Sequence, residues 1–532
     1  MHVAITNRTY KGRTYSSTLL RQTYREDGKV KHRTLANLSA LPEDVVDIIR
    51  RALKGETFVS AAEALKITSS KSHGAVSAIL SVVRKIGLDK ILGGDVLWRS
   101  IVLGMITARL IEPGSKRFTA AYWQQTTLGS LLSLPESISP NALYEAMDTL
   151  FSRQPVIEKK LAKKHLEEGA LVLYDLSSSY LEGTHCPLAA FGYSRDKKRS
   201  KRQFTYGLMT NKDGCPVAVE VFPGNRTDAK TLEEQITRLR EKYGLRRVVL
   251  VGDRGMITKT RIADLKKVGY DWITALRASD IQHLYEDGAF QLSLFDDRDV
   301  AEIEHPDYDG ERLVLNRNPL MTEERRRNRQ DLLSATERDL EKIRVRVETG
   351  KLVAADKIGL AVGKIIDKHK MAKHFILEIS DGIFRYKRDE ERIEKEARLD
   401  GIYIVRTDVP HEEMSMEEVV ETYKGLQQVE QAFRNMKSMQ LELRPVFHRL
   451  EDRVRAHVFL CMLAYYVQWH MVKSLRTLKE QDAETYGSFR LVMERLKSLQ
   501  RNTVECAGKT FEQVTQPDVY QQKILDVLGV VL

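Results

Sequence analysis

The order of the apolar runs between residues 169 and 277 constrains this chain more than any other feature. Five short runs, 170–175, 203–210, 216–222, 247–252 and 271–276, are rich in aliphatic and aromatic residues and read as strands. Stretches with helical apolar spacing, 228–242 and 258–268, lie between the later ones. Asp213-Gly214 supplies a two-residue hairpin turn between the second and third runs. Three strands in succession, then helix–strand alternation, predict a mixed α/β sheet.

Two of these runs stop at a carboxylate: Leu171-Val172-Leu173-Tyr174-Asp175 and Val248-Val249-Leu250-Val251-Gly252-Asp253. The strand order is that of a ribonuclease-H-like fold, in which the first and fourth strands are neighbours, so Asp175 and Asp253 are expected to converge. A third carboxylate, Glu430, lies in a predicted helix over 416–439 whose apolar stripe is Leu426, Val429, Phe433 and Met436. Tyr423, Glu430 and Lys437 recur every seven residues, two helical turns, and are expected on one face, with Arg434 a turn beyond Glu430. Carboxylate oxygens are hard ligands suited to Mg²⁺ or Mn²⁺. Two such ions about 3.5–4 Å apart clamp the attacking and leaving oxygens of a phosphodiester. Metal-dependent phosphoryl transfer on nucleic acid is the first expectation. The competing structural reading of Glu430 is a surface acid supported by Arg434 at i,i+4.

Charge agrees with that chemistry without deciding it. Lys and Arg number 85 against 74 Asp and Glu, and a basic balance favours phosphate-backbone partners. The four cysteines, Cys186, Cys215, Cys461 and Cys506, are scattered without a C-x-x-C and read as reduced core thiols of a cytoplasmic protein. His185-Cys186 has no second pair at zinc spacing. No apolar leader opens the chain, and the apolar run Val458–Val467 is short enough to read as a buried helix. Gly252-Asp253-Arg254-Gly255 is not a dinucleotide fingerprint, and no P-loop is present.

The rest of the chain divides by pattern into a multidomain α+β organisation. Residues 1–68 read as a small basic β unit, with strands through 15–24 and 30–38 about the turn Glu26-Asp27-Gly28. Its Arg and Lys residues suit either a solvated face or a DNA-touching arm. The polar stretch Thr68–Gly74 reads as a linker. Residues 69–168 read as helical, with helices at 75–86 and 96–110, Ser115 capping a third, and Ser139-Pro140 opening a fourth through Phe151. Short helices with tight turns suit helix-turn-helix DNA binding and equally an ordinary bundle, and this region is the expected DNA-binding domain. The first part of the catalytic core spans 169–277. An insertion domain, 278–410, carries a charged helix over 322–346 and strands at 374–380, 382–387 and 401–406. The second part of the core, 411–475, holds Glu430, and a helical C-terminal region spans 476–532.

With these residues in view, the chain resembles the DDE transposases of bacterial insertion sequences, specifically the IS-four-like superfamily. That group carries a helix pattern Y-x2-R-x3-E-x6-K, matched by Tyr423, Glu430 and Lys437 but with Leu426 at the Arg position. The segments LVLYDLSSSYLEG, VVLVGDRGM, DGIYIVRTD and YKGLQQVEQAFRNMK are similar to the subgroup with a large insertion before the catalytic Glu. The resemblance implies an RNase-H-like core whose catalytic and metal-binding acids are Asp175, Asp253 and Glu430, holding two Mg²⁺ or Mn²⁺ ions. It implies binding of terminal inverted repeats, hydrolysis at the transposon ends, and joining of the 3′-OH ends to target DNA by a homodimer on paired ends, in the bacterial cytoplasm. Tyr423 and Lys437 would hold phosphates. Arg254 and Arg434, and the basic run with Arg444, Arg449 and Arg453, are the further DNA-contact candidates. The alternatives are an RNase-H-like structure-selective nuclease and a catalytically silent DNA-binding derivative of a transposase.

Overall fold

The computed structural model describes residues 1–58, 65–183, 185–192, 195, 200–226, 228–295, 299–506 and 509–532. The chain divides into two compact units: Met1–Lys71 with Gln500–Gln516, and Ser72–Leu499 with Pro517–Leu532.

The first unit opens with a three-stranded antiparallel meander of β1 (His2–Tyr10), β2 (Arg13–Glu26) and β3 (Lys29–Asn37). Asp27 and Gly28 both take positive φ, 51° and 75°, and Glu26 pairs with Lys29 across them. That is the geometry the Asp-Gly signal predicts, because turns twisted this way match the twist of the strands. Strand β4 (Leu65–Ser72) lies in a second sheet beside Gln500–Cys506, which pairs with Lys509–Val514. This corrects two expectations. The polar segment 68–74 is mostly strand, and the C-terminal region 476–532 is not wholly helical. The part of β4 inside that segment, Thr68–Ser72, carries no apolar residue and is held by backbone pairing to a distant strand, with the Thr68 hydroxyl donating to the Thr503 carbonyl at 3.2 Å.

The second unit is a sheet walled by helices. Helices α1 (Gly74–Lys85), α2 (Val96–Ile111) and α3 (Pro140–His165) precede it. Asp95, Ser115 and Ser139 each accept a backbone N–H in the following first turn at 3.1 Å, as N-caps do. Helix α3 runs beyond Phe151, through Pro155, to His165.

The sheet has eight strands: β5 (Ala170–Tyr180), β6 (Gln203–Asn211), β7 (Pro216–Pro223), β8 (Val248–Gly252), β9 (Asp271–Ala275), β10 (Val300–Ile303), β11 (Arg312–Arg317) and β14 (Ile402–Thr407), in the order β10-β11-β14-β9-β8-β5-β6-β7. Among the described residues of this sheet, β5–β8 and β8–β9 are the parallel pairs and the others are antiparallel. The central strands are buried along almost their whole length, which is why they read as continuous apolar runs rather than alternating ones. Two remaining strands, β12 (Phe375–Ser380) and β13 (Ile383–Arg388), form a separate hairpin.

A long helix near the C-terminus, Glu451–Ser474, has His457, Phe459, Met462 and Tyr466 among its buried residues and packs on α1, α2, α3 and β7. The helices of 74–165 are therefore built into the same unit as the sheet, and the chain divides at Lys71 rather than near 168. Residues 278–410 also divide differently from expectation. Strands β10, β11 and β14 extend the large sheet, with Leu276, Ile281, Phe295, Leu313 and Ile404 forming a core beside them. Helices Pro319–Glu348 and Ala355–His369 pack with the β12–β13 hairpin around a second core of Leu340, Ile343, Ile358, Val362, Phe375 and Phe384.

Candidate active site

Strand register brings the first two acids together. Tyr174 on β5 pairs in parallel with Gly252 on β8, so Asp175 and Asp253 are the next residues along two adjacent strands. Strand β5 does not stop at Asp175, as the apolar run suggests, but continues to Tyr180 through pairing with β6, where Asp175 lies opposite Leu208. The less apolar segment Leu176-Ser177-Ser178-Ser179 hides that extension from the sequence pattern. Asp175 thus sits where β5 loses its β8 neighbour, and Asp253 sits where β8 ends. Gly207 on β6 makes room behind this point: a Cβ there would fall 2.1 Å from the Tyr174 hydroxyl.

The third acid arrives on a helix that the sequence pattern draws as continuous and the structure breaks. Helix α4 (Met416–Lys424) begins at a Ser415–Glu418 capping box and ends at Gly425. Helix α5 (Leu426–Arg434) carries Glu430 and packs on β5, and a π turn follows at Asn435–Met439. A Cβ on Gly425 would lie 2.9 Å from the Thr422 carbonyl, so a larger residue would force the helix junction itself to shift, while Leu173 of β5 lies in ordinary contact at 3.6 Å.

Electrostatics reports the convergence. Asp175 is pushed up to about 7, first by burial and further by the negative charges of Asp253 and Glu430. The Leu176 N–H, which donates to its carboxylate at 2.7 Å, and the positive charge of Arg195 oppose the rise. The Tyr423 hydroxyl is raised well above its ordinary range by burial and then by Asp253, with Arg254 opposing. Asp253 accepts the N–H of Arg254 at 2.7 Å. The three acids couple electrostatically but do not form a cluster with all donor atoms within 4.8 Å of one another. Among the described residues, the one triple of His, Cys, Asp or Glu whose donor atoms all lie within 4.8 Å of each other is elsewhere, at His165, Cys215 and His470. An all-carboxylate donor set with unneutralised charge fits a hard divalent cation.

The sequence profile of the transposase DDE domain matches residues 172–467, more than half of the chain and all three acids. The chain belongs to the DDE transposase family. Residues 3–64 match the N-terminal domain of the IS1634 family transposases, so this is a bacterial insertion-sequence DNA transposase. No curated protein matches it. Among solved structures, a cryo-EM structure of the piggyBac transposase synaptic complex with hairpin DNA aligns at a TM-score of 0.35 and 9% identity, over 80% of this chain and 76% of that one. That likeness is too distant to carry an argument. No helix among the described residues of the transposase is long and apolar enough to cross a membrane.

The other predicted contacts are placed unevenly. Arg254 is exposed beside Asp253 and lines a cleft of about 230 Å³ with Lys259, Arg277 and Arg406. Arg434 is exposed on the last turn of α5, and Lys437 is half-buried inside the π turn. A π turn takes more residues than an α turn, so the seven-residue spacing that would align Lys437 with Glu430 no longer applies. Arg444 stacks 5.0 Å from the centre of the Tyr180 ring, and Arg449 is exposed. Arg453 is already engaged: it donates twice to Asp148, at 3.0 and 2.9 Å, and lies over Tyr144. The sequence reading missed Arg195, whose N–H donates to the Ser178 hydroxyl at 3.1 Å and whose charge reaches Asp175. Its signal was the dense basic stretch between β5 and β6, from Arg195 to Arg202.

Proposed function

We propose that the transposase binds the terminal inverted repeats of its own element, hydrolyses a phosphodiester at each end and joins the freed 3′-OH to target DNA, with Asp175, Asp253 and Glu430 as its metal-holding acids. The observation that carries this reading is the pairing of Tyr174 with Gly252, which makes the two aspartates neighbours on adjacent parallel strands. The order β7-β6-β5-β8-β9 supports an RNase-H-like core, and the packing of α5, the helix that carries Glu430, on β5 supports Glu430 as the third acid. Two Mg²⁺ or Mn²⁺ ions in this donor set would lower the pKa of bound water and neutralise charge on the transferring phosphoryl group. The protein's part is to hold and orient. Burial and the charges of Asp253 and Glu430 push the Asp175 carboxyl up to about 7, and a bound cation would favour its ionised form. Tyr423, Arg254 and Lys437 would hold backbone phosphates, which sets register rather than reading sequence. Arg434, Arg444 and Arg449 would extend that track. Arg453, paired with Asp148, contributes by fastening α3 to the helix Glu451–Ser474.

End recognition is assigned to the N-terminal 168 residues, with the basic meander β1–β3 the first candidate surface. Two ends must be joined, so two copies are required, and two-fold symmetry is the commonest arrangement. The deciding experiment uses Glu430→Gln on duplexes bearing the element's ends. End binding should persist while nicking and strand transfer vanish, because an amide is nearly isosteric but a poor cation ligand. Nicking at the wild-type rate would remove Glu430 from the site. A wild-type protein that cuts ends but never joins them would favour the nuclease reading.

A further inference from the structure

A second cluster of metal-ligating side chains lies in the same unit, on different elements from the acids. His165 ends α3, Cys215 sits in the turn between β6 and β7, and His470 lies on the helix Glu451–Ser474. One donor atom from each comes within 4.8 Å of the other two. The two imidazole rings are 5.8 Å apart centre to centre, and Cys215 is fully buried. The His470 Nε2 is buried without a hydrogen-bond partner, an expensive arrangement for a polar atom with nothing to bind. The Tyr466 hydroxyl meets His165 Nε2 at 2.9 Å, the kind of outer contact that fixes the orientation of a ligating imidazole.

We propose that His165, Cys215 and His470 form a structural zinc site that pins the β6–β7 turn between α3 and the helix Glu451–Ser474. Two nitrogens and a sulfur are borderline-to-soft donors, which suit Zn²⁺ and disfavour the hard Mg²⁺ or Mn²⁺ of an all-carboxylate centre. Zinc takes nitrogen at about 2.0–2.1 Å and thiolate at about 2.3 Å, so the donors need only close up by side-chain rotation. The fourth position would go to water, with the Tyr466 hydroxyl staying on His165 Nε2 as the outer contact. Burial lowers both imidazoles to about 4, so neither must shed a proton to bind; burial also holds the Cys215 thiol well above its ordinary range, so the loss of its proton to solvent would have to be driven by the bound cation. Two cations oppose an added ion. Lys164 donates to the Ile86 carbonyl, and Lys473 is drawn to Asp213 at 3.6 Å and lies over Trp469.

The site has a structural consequence for the acids. The turn it would pin rests on α5: a Cβ on Gly214 would come within 2.6 Å of Gln428 Oε1, two residues from Glu430. The Trp469 indole N–H also donates to the Asp213 carbonyl at 3.2 Å, holding the same turn to the long helix.

The test uses full-length transposase purified without chelator, exposed to Zn²⁺, gel-filtered and analysed for metal. We expect about one zinc per chain that excess Mg²⁺ does not displace. Replacing zinc with Co²⁺ should give thiolate-to-cobalt charge-transfer absorption. Cys215→Ser and His470→Gln should each lose both the retained zinc and that absorption, whereas Glu430→Gln should keep both. Wild-type protein that retains no zinc, or shows no cobalt–thiolate absorption, overturns the proposal without recourse to any variant. Retention of zinc by folded Cys215→Ser at the wild-type level overturns it equally.

Discussion

Two acidic centres in the same unit are built on opposite principles. Glu158, in the middle of α3, is completely buried, which raises its carboxyl above the ordinary range, but partners on the protein oppose that rise: Arg238 donates at 2.6 Å, Gln154 at 2.8 Å and the Val219 N–H at 3.1 Å. Arg238 reaches on to Glu220 at 3.0 Å, which ties α3 to β7. Asp175, at the open point of β5, receives the N–H of its own neighbour and the field of Arg195, and faces two further carboxylates. An interior acid that is answered by the protein fastens elements together. One left short of positive charge is held ready for something the protein does not supply.

The strongest way to break this contrast is to neutralise each centre in turn. Asp253→Asn or Glu430→Gln should lower end cleavage by about a thousandfold or more, equivalent to about 4 kcal/mol in the barrier, with little loss of stability. Glu158→Gln should do the reverse: it leaves Arg238 with only Glu220 and should cost about 3 kcal/mol in urea unfolding, the lower end for breaking a buried pair. Equal destabilisation by both classes of variant would erase the distinction between the centres.

Proton linkage sharpens the comparison further. Asp175 is raised from 3.8 to about 7 in the folded protein. The fold therefore binds that proton more tightly than the unfolded chain, so this contribution to stability is present at acid pH and is lost as pH rises from about 4 to about 7. Thermal melts of metal-free protein should decline across that interval, with Asp175→Asn flattening the decline and Mn²⁺ restoring stability above it. A decline that persists unchanged in Asp175→Asn would assign it to other groups. The smallest effect is expected at Lys437, off the helical face of Glu430. Lys437→Ala should weaken cleavage and reduce the salt slope of DNA binding by about one unit, the loss of one phosphate contact. An unchanged slope would return Lys437 to a purely structural place in the π turn.

Much of the candidate site was legible because its determinants are local. Continuous apolar runs marked β5 and β8 as buried strands, the acids follow directly in sequence, and the apolar stripe through Val429 and Phe433 marked the helix of Glu430. Arg195 was not legible, since a basic residue in a loop carries no period, nor was the π turn that displaces Lys437 from the helical face.

What the sequence determined by itself is a part of the elements and their order: the Asp-Gly turn of the meander, the central strands with Asp175 and Asp253, and the helix bearing Glu430. Hydrophobic period and turn chemistry act over a few residues, so they can be read along the chain. Only the tertiary structure decided that the chain divides at Lys71, that Thr68 and Thr503 share a sheet, that β10, β11 and β14 extend the central sheet, and that His165, Cys215 and His470 meet. Each of these depends on residues far apart in sequence finding a common partner, and that choice is made by burial and backbone pairing across the whole fold rather than by any local pattern.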